Sequence, residues 1–284
     1  MKRIISIISV FFLLLVTFLR ADLNHQWEYL DNGKIRIGVD KSRGACIGFF
    51  GESITKKNLL NNFDEGRFIQ QSYYGDKDGS KWNGKPWRYN PVQGGDWKGN
   101  KSRILNFSKI NGQIITAKVE PLNWSNGKSC PEAIMSLKVS LIDTYAEITY
   151  ELEYTGDDQI SHNHQEMPAM FVDADLSTLV YPGSDKLIRK IPKWPNEYGK
   201  SHKSWFAYLN KNDWGIGIFT PGTKDFTCYR FKGKGKNDPN GSSCSYVAPI
   251  RTFSLKKGMK VSYKFYLTIG KLDKIKSTFK SIGG

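Results

Sequence analysis

The segment AIMSLKVSLIDTYAEITYELEY, residues 133–154, decides the fold. On either side of Asp143-Thr144, apolar residues alternate with polar ones: Met135, Leu137, Val139 and Leu141, then Ala146, Ile148, Tyr150 and Leu152. Side chains on a β-strand alternate between faces with a period of two. The pattern therefore predicts two half-buried strands joined by a tight turn. The rhythm continues outward in both directions. Residues 27–30 and 34–39 flank Asp31-Asn32-Gly33, a hairpin signature. Residues 45–50 follow Ser42-Arg43-Gly44, and 114–119 follow Asn111-Gly112. Residues 204–209 and 215–219 bracket a polar turn, and 226–231, 243–250 and 260–269 complete the set. Only 273–279 reads as helix. Strands at such spacing with almost no helix predict an all-β fold, a large antiparallel β-sandwich with one short C-terminal helix.

The chain has 284 residues, of which 13% are aromatic, including eight tryptophans, enough for a substantial core. Residues 1–21 read as a signal peptide: Lys2 and Arg3 are a basic start, 4–19 an apolar run, and Ala21 a small residue before a cut. The run is shorter than the ~20 residues a membrane-spanning helix needs. We therefore expect a single domain over 22–284, secreted or periplasmic, without stable membrane insertion once the signal is removed. The net charge is +15, or +12 without Lys2, Arg3 and Arg20. A basic exported protein can meet nucleic acid, an anionic membrane or an acidic glycan. The lysines are scattered over turns and no nucleic-acid motif is present, so nucleic acid is not expected as a partner. Cys46, Cys130, Cys228 and Cys244 lack the CxxC spacing of a zinc site. Export permits disulfides, and Cys228 with Cys244, flanking a Gly-, Lys- and Asn-rich loop, is the expected pair. A serine nucleophile elbow, a P-loop and a dinucleotide fingerprint are absent, and no cofactor is expected.

Chemistry concentrates in three places. In His162-Asn163-His164-Gln165-Glu166, strand alternation puts His162, His164 and Glu166 on one face. Two imidazoles beside a carboxylate can transfer protons, ligate a metal or form a satisfied polar cluster. The absence of another histidine nearby weighs against the metal. A carboxylate desolvated beside aromatics has a raised pKa suited to acid–base work near neutrality. In residues 64–74, Arg67, Ile69, Gln71 and Tyr73 share one face and Phe68, Gln70, Ser72 and Tyr74 the other. Neither face is uniformly apolar, which suits the wall of a groove. Arg67 can meet a substrate carboxylate or sulfate, or pair with Asp64 or Glu65. In residues 89–100, Asn90, Gln93, Asp96 and Asn100 offer amide and carboxylate groups to hydroxyls around the Gly94-Gly95 pair. They equally suit a self-satisfied loop.

Two stretches, 76–100 and 182–203, break the strand rhythm and read as long loops. The first carries Trp82, Trp87 and Trp97, the second Trp194 and Tyr198. Aromatic faces beside polar groups make sugar platforms, or pin loops to the sheet.

The pattern of residues 33–39, Ser42-Arg43-Gly44-Ala45, Lys57-Asn58-Leu59-Leu60-Asn61 and Asp64-Glu65-Gly66-Arg67 resembles the N-terminal half of galactose-mutarotase-like β-supersandwich proteins. The larger set 67–74, 89–100, 164–169, 205–220 and 246–252 is similar to a bacterial family of exported proteins associated with polysaccharide use. The resemblance implies a concave, sugar-binding sheet. Epimerases of this fold pair a histidine acid with a glutamate base, and those residue types carry over to His164 or His162 and to Glu166. The order differs, because aldose epimerases have their glutamate late in the chain. The same fold also occurs in polysaccharide lyases and glycoside hydrolases.

The expectation is a carbohydrate-active enzyme that cleaves a polysaccharide or oligosaccharide, an anionic one, by β-elimination or hydrolysis. The alternative is a sugar epimerase or a non-catalytic glycan-binding protein. His164, Glu166, His162, Tyr73 and Asp96 are the expected catalytic groups, with His164 or Tyr73 as the base of a lyase and Glu166 with Asp96 as the carboxylates of a hydrolase. Arg67, Gln71, Trp87, Asn90, Gln93, Trp97 and Asn100 are the expected substrate contacts, and no metal site is expected.

Overall fold

The computed structural model describes residues 25–284, so the expected signal segment lies outside the described residues. In the deciding hairpin, Ala133–Ile142 and Tyr145–Tyr154 pair antiparallel, with Met135 opposite Leu152, Leu137 opposite Tyr150 and Val139 opposite Ile148. Burial alternates along both strands. Asp143 takes the left-handed φ of +50° that so tight a turn needs.

Two antiparallel sheets repeat this rule. The nine-stranded sheet runs, in spatial order, Leu187–Lys190, Thr178–Pro182, Trp205–Leu209, Trp214–Phe219, Met259–Lys271, Tyr145–Tyr154, Ala133–Ile142, Ile114–Glu120 and Arg103–Ile110. The ten-stranded sheet runs Trp27–Asp31, Ile35–Asp40, Cys46–Glu52, Ile69–Ser72, Asn163–Asp173, Cys244–Phe253, Asp225–Phe231 and Glu197–Lys200. The short strands Pro91–Val92 and Leu122–Asn123 branch from Ile69–Ser72. Their facing apolar surfaces form one core. Two hydroxyls cross it: Tyr150 donates to the carbonyl of Ile69 (2.9 Å) and Tyr208 to that of Tyr246 (2.8 Å). Both buried polar groups are thereby satisfied. The helix Leu272–Ser281 lays Leu272, Ile275 and Phe279 on the outer face of the nine-stranded sheet. Gly217 permits that approach, since a Cβ there would stand 2.5 Å from Ile275. Among the described residues, no helix is long and apolar enough to cross a membrane.

A buried ionic knot ties the first described residues to the ten-stranded sheet. Asp40 accepts from Arg43 (2.9 Å) and contacts Nδ1 of His25 (2.6 Å), while Arg43 Nε lies 3.3 Å from Glu65. Burial pushes the Asp40 carboxyl up. The hydrogen bonds from His25, Ser42, the Gln26 amide and Arg43 outweigh it and hold Asp40 well below the usual carboxylate range.

Two expectations need correction. Cys228 and Cys244 do not pair; all four cysteines are free and buried. Cys228 lies opposite Val247 and Cys244 opposite Phe231, three residues apart in register and therefore on opposite faces of the sheet. Nor is 182–203 a plain loop. It contains Leu187–Lys190 and Glu197–Lys200, edge strands of the two sheets whose side chains are too polar to show an alternation.

Candidate functional site

The outer face of the ten-stranded sheet carries a cleft of about 670 Å³. Its floor is set by strand parity. His164 and Glu166 project from Asn163–Asp173 on the same side, and His162, just before the strand, joins them at the rim. Beyond Glu166 the parity changes. Glu166 lies opposite Ile250, but Met170 lies opposite Val247, so one extra residue is accommodated between them as a β-bulge. Phe171 consequently faces the cleft while Met167, Met170 and Val172 fill the core. Neighbouring strands add Ser72, Thr227, Tyr229 and Tyr246.

Glu166 is the chemical centre. Tyr246 donates its hydroxyl to Oε1, and Tyr74 and Ser72 also hydrogen-bond the carboxyl. Burial dominates over these donors and raises the Glu166 pKa to about 7. Burial, and after it the proximity of Glu166, pushes the hydroxyls of Tyr74 and Tyr246 well above their ordinary value. Burial and the nearby Arg88 guanidinium lower the His164 pKa, which favours the neutral imidazole. Arg88 is itself anchored on the side-chain carbonyl of Asn163. Arg67 reaches the cleft with a 3.7 Å ion pair to Asp64 and a hydrogen bond to Asn61.

Aromatic rings form both walls. On one side the indoles of Trp82 and Trp87 lie 4.9 Å apart, with Trp124 6.1 Å from Trp82. Trp87 donates to Asn90 at 3.2 Å. On the other side Trp194, 58% exposed, stands edge-on to Tyr229 and Phe231, and Tyr198 faces the His164 ring at 5.7 Å.

The cleft brings together His162, His164, Glu166, Arg67, Trp87 and Asn90. The other expected residues lie elsewhere. Tyr73 is fully buried in the core and donates to Gln71, whose amide in turn donates to the carbonyl of Ser136 in the opposite sheet. Alternation put Tyr73 with Arg67, but Phe68 between them takes a φ of +72° and breaks the phase; Tyr74 is the cleft tyrosine. Asp96 is buried, accepting the amides of Lys98 and Asn100 and the Asn100 side chain. Gln93 is buried and bonds to the carbonyl of Gly44. Trp97 lies outside the cleft and donates to the carbonyl of Ser125. Gln93, Asp96, Trp97 and Asn100 spend these hydrogen bonds within and around the 89–100 loop and do not line the cleft. Tyr246, Tyr229, Arg88 and Trp124 were not anticipated as site residues. Among the described residues no three His, Cys, Asp or Glu side chains converge as a metal would require; His162 spends Nδ1 on the Ser254 hydroxyl at 2.9 Å.

The two-sheet architecture has counterparts among solved structures. A galactose mutarotase-like protein from Lactobacillus casei superposes with a TM-score of 0.54 over 86% of this chain and 99% of its own, at 12% identity. The fold is galactose-mutarotase-like. A galactose mutarotase related enzyme from Lactobacillus acidophilus shares this mutarotase-like fold, with a TM-score of 0.53, 12% identity, and 86% and 97% coverage. The 4-alpha-glucanotransferase of Thermococcus litoralis contains it as part of a longer chain, with a TM-score of 0.50, 10% identity, and 87% of this chain matching 38% of that one. No protein-family model and no curated protein matches the sequence.

Proposed function

We propose that this protein is an exported carbohydrate-active enzyme that cleaves an anionic polysaccharide by β-elimination. The observation that carries the reading is Glu166, a carboxyl with a pKa of about 7 under two tyrosine hydroxyls, beside a neutral imidazole and two guanidiniums between aromatic walls. Sugar faces stack on such rings, and arginines complement a uronate carboxylate. The sugar-related names of the fold neighbours favour a glycan in the same cleft.

In this reading Arg88 and Arg67 offset the uronate charge, which acidifies the C5 hydrogen. Neutral His164 takes that proton, the C5–H electrons become the C4–C5 double bond, and the C4–O bond breaks. Tyr246 or protonated Glu166 supplies a proton to the departing oxygen. A hydrolytic reading uses Glu166 with Asp64, the second carboxylate on the cleft, in place of Asp96. A sugar epimerase or a glycan-binding protein would use the same walls.

Incubation with uronate-containing, sulfated and neutral polysaccharides distinguishes these readings. New ultraviolet absorbance from an unsaturated uronate supports elimination. New reducing ends without it move the reading to hydrolysis. Binding without cleavage leaves a glycan-binding protein, and no binding to any glycan removes the proposal.

A further inference from the structure

The cleft has a neighbour across Tyr198. A second depression of about 680 Å³ opens beyond that ring, lined by Tyr198, Lys200, Lys224, Ile250, Arg251 and Thr252 among others. The two hollows meet on one sheet face at Ile250 and Thr252, while Arg251, opposite Gln165 and out of phase with them, brings its guanidinium to the second hollow beside Pro221 and Thr223. Ile250 and Thr252 lie directly opposite Glu166 and His164 in the strand pairing, and opposed residues of an antiparallel pair stand about 5 Å apart. Tyr198, itself 58% exposed, borders both hollows. A chain of sugars leaving His164 past this ring enters the second depression next.

Its chemistry is cationic. Three cations, Lys200, Lys224 and Arg251, and a single carboxylate, Asp225, line it. Lys200 lies 3.8 Å from Asp225, and both side chains are more than half exposed, so the pair is weak and readily exchanged for another anion. Lys224 makes no ion pair with the described residues. Arg251 is held in place without being neutralised: Nε donates to the Thr223 hydroxyl at 2.9 Å and Nη2 to the carbonyl of Pro221 at 3.3 Å. Both acceptors are uncharged, so the guanidinium keeps its full charge and forfeits little freedom on meeting a ligand.

We propose that this shelf is an anion subsite that binds the carboxylate or sulfate of sugar units next to the reacting one, and so selects charged polymers longer than the cleft. The inference rests on the glycan reading of the cleft. It predicts a length and charge preference that the cleft alone does not require.

The test compares the wild type with Lys200→Ala/Lys224→Ala, whose exposed side chains hold no backbone, and with Arg251→Gln. For a long uronate or sulfated polymer, KM rises about tenfold in each variant, the scale of one lost charge-assisted hydrogen bond, with kcat unchanged. For the shortest oligosaccharide that is still cleaved, both constants stay at the wild-type value. The long-polymer difference shrinks in high salt, as exposed cations are screened. Where a polymer binds without being cleaved, the same contrast is read as Kd by affinity electrophoresis. Variants that handle long and short anionic substrates as the wild type does overturn the subsite and leave the cleft reading standing. A wild type that binds neutral glycans but no anionic one overturns both the subsite and the uronate reading of the cleft. A wild type that binds no glycan at all overturns both.

Discussion

The hydroxyl of Tyr246 donates to Oε1 of Glu166, so the one group lowering the carboxyl's pKa most directly belongs to a different strand from the carboxyl itself. Burial raises Glu166 and this bond partly restrains it. Removing the bond in Tyr246→Phe therefore moves the Glu166 pKa further upward. The alkaline limb of the activity profile, where Glu166 gives up its proton, shifts to higher pH, which a pH–rate series or a carboxyl titration by NMR reads directly. Glu166→Gln lowers turnover about 10²- to 10⁴-fold with the fold intact.

The same carboxyl opposes folding in alkali. Its folded pKa of about 7 lies above the unfolded value of 4.5, so the native state holds more protons between those values. Stability from this group is full below about 4.5 and falls as pH rises through 7. Glu166→Gln is expected to be more stable than the wild type at pH 8, by up to about 3 kcal/mol, and little changed at pH 4. Denaturant unfolding at the two pH values checks this.

Two exposed indoles separate a ligand platform from a structural prop. Trp194 stands over the cleft and Trp97 is outside it, bound to Ser125. Trp194→Ala weakens oligosaccharide binding about three- to tenfold, the scale of one lost ring contact, while Trp97→Ala leaves it unchanged. Calorimetric titration with the best substrate decides.

Asp96 is expected to matter for the loop and not for the chemistry. Its two oxygens accept three hydrogen bonds from Lys98 and Asn100. Asp96→Ala costs about 1–3 kcal/mol of stability through unsatisfied donors. Activity per folded molecule stays at the wild-type level, which separates it from Glu166 in a paired assay of unfolding and turnover.

The knot at Asp40 is the most vulnerable electrostatic point away from the cleft. Asp40→Asn leaves Arg43 buried with only Glu65 as an ionic partner, a loss of about 3–5 kcal/mol at pH 7. Because the native pKa is depressed, the wild-type contribution is present above the unfolded value of 3.8 and is lost in acid. Wild type and variant therefore converge in stability as the pH is lowered.

The strand rhythm was legible wherever one face is buried and the other wet, as at residues 133–154, because burial and sequence then share a period. The same reasoning placed His164 and Glu166 together. It failed at Tyr73, because a left-handed Phe68 resets the phase after Arg67 and no local signal announces that. It failed at Asp96 because a carboxylate satisfied by its own loop reads like one waiting for a ligand. Tyr246, Tyr229 and Arg88 escaped notice for another reason. Tyr246 and Tyr229 join Glu166 only through pairing between strands far apart in the chain, and Arg88 through its hydrogen bond to Asn163; no window of sequence contains either.

The extra residue accommodated after Glu166 acts as a change of reading frame in space. Ahead of it, even-numbered residues open onto the cleft; behind it, odd-numbered ones do. The acid and the aromatic floor around Phe171 can therefore occupy one surface only while that residue is present. Deleting it would turn one of the two groups into the core, so a single-residue loss here would remove the site while leaving almost every side chain of the strand unchanged.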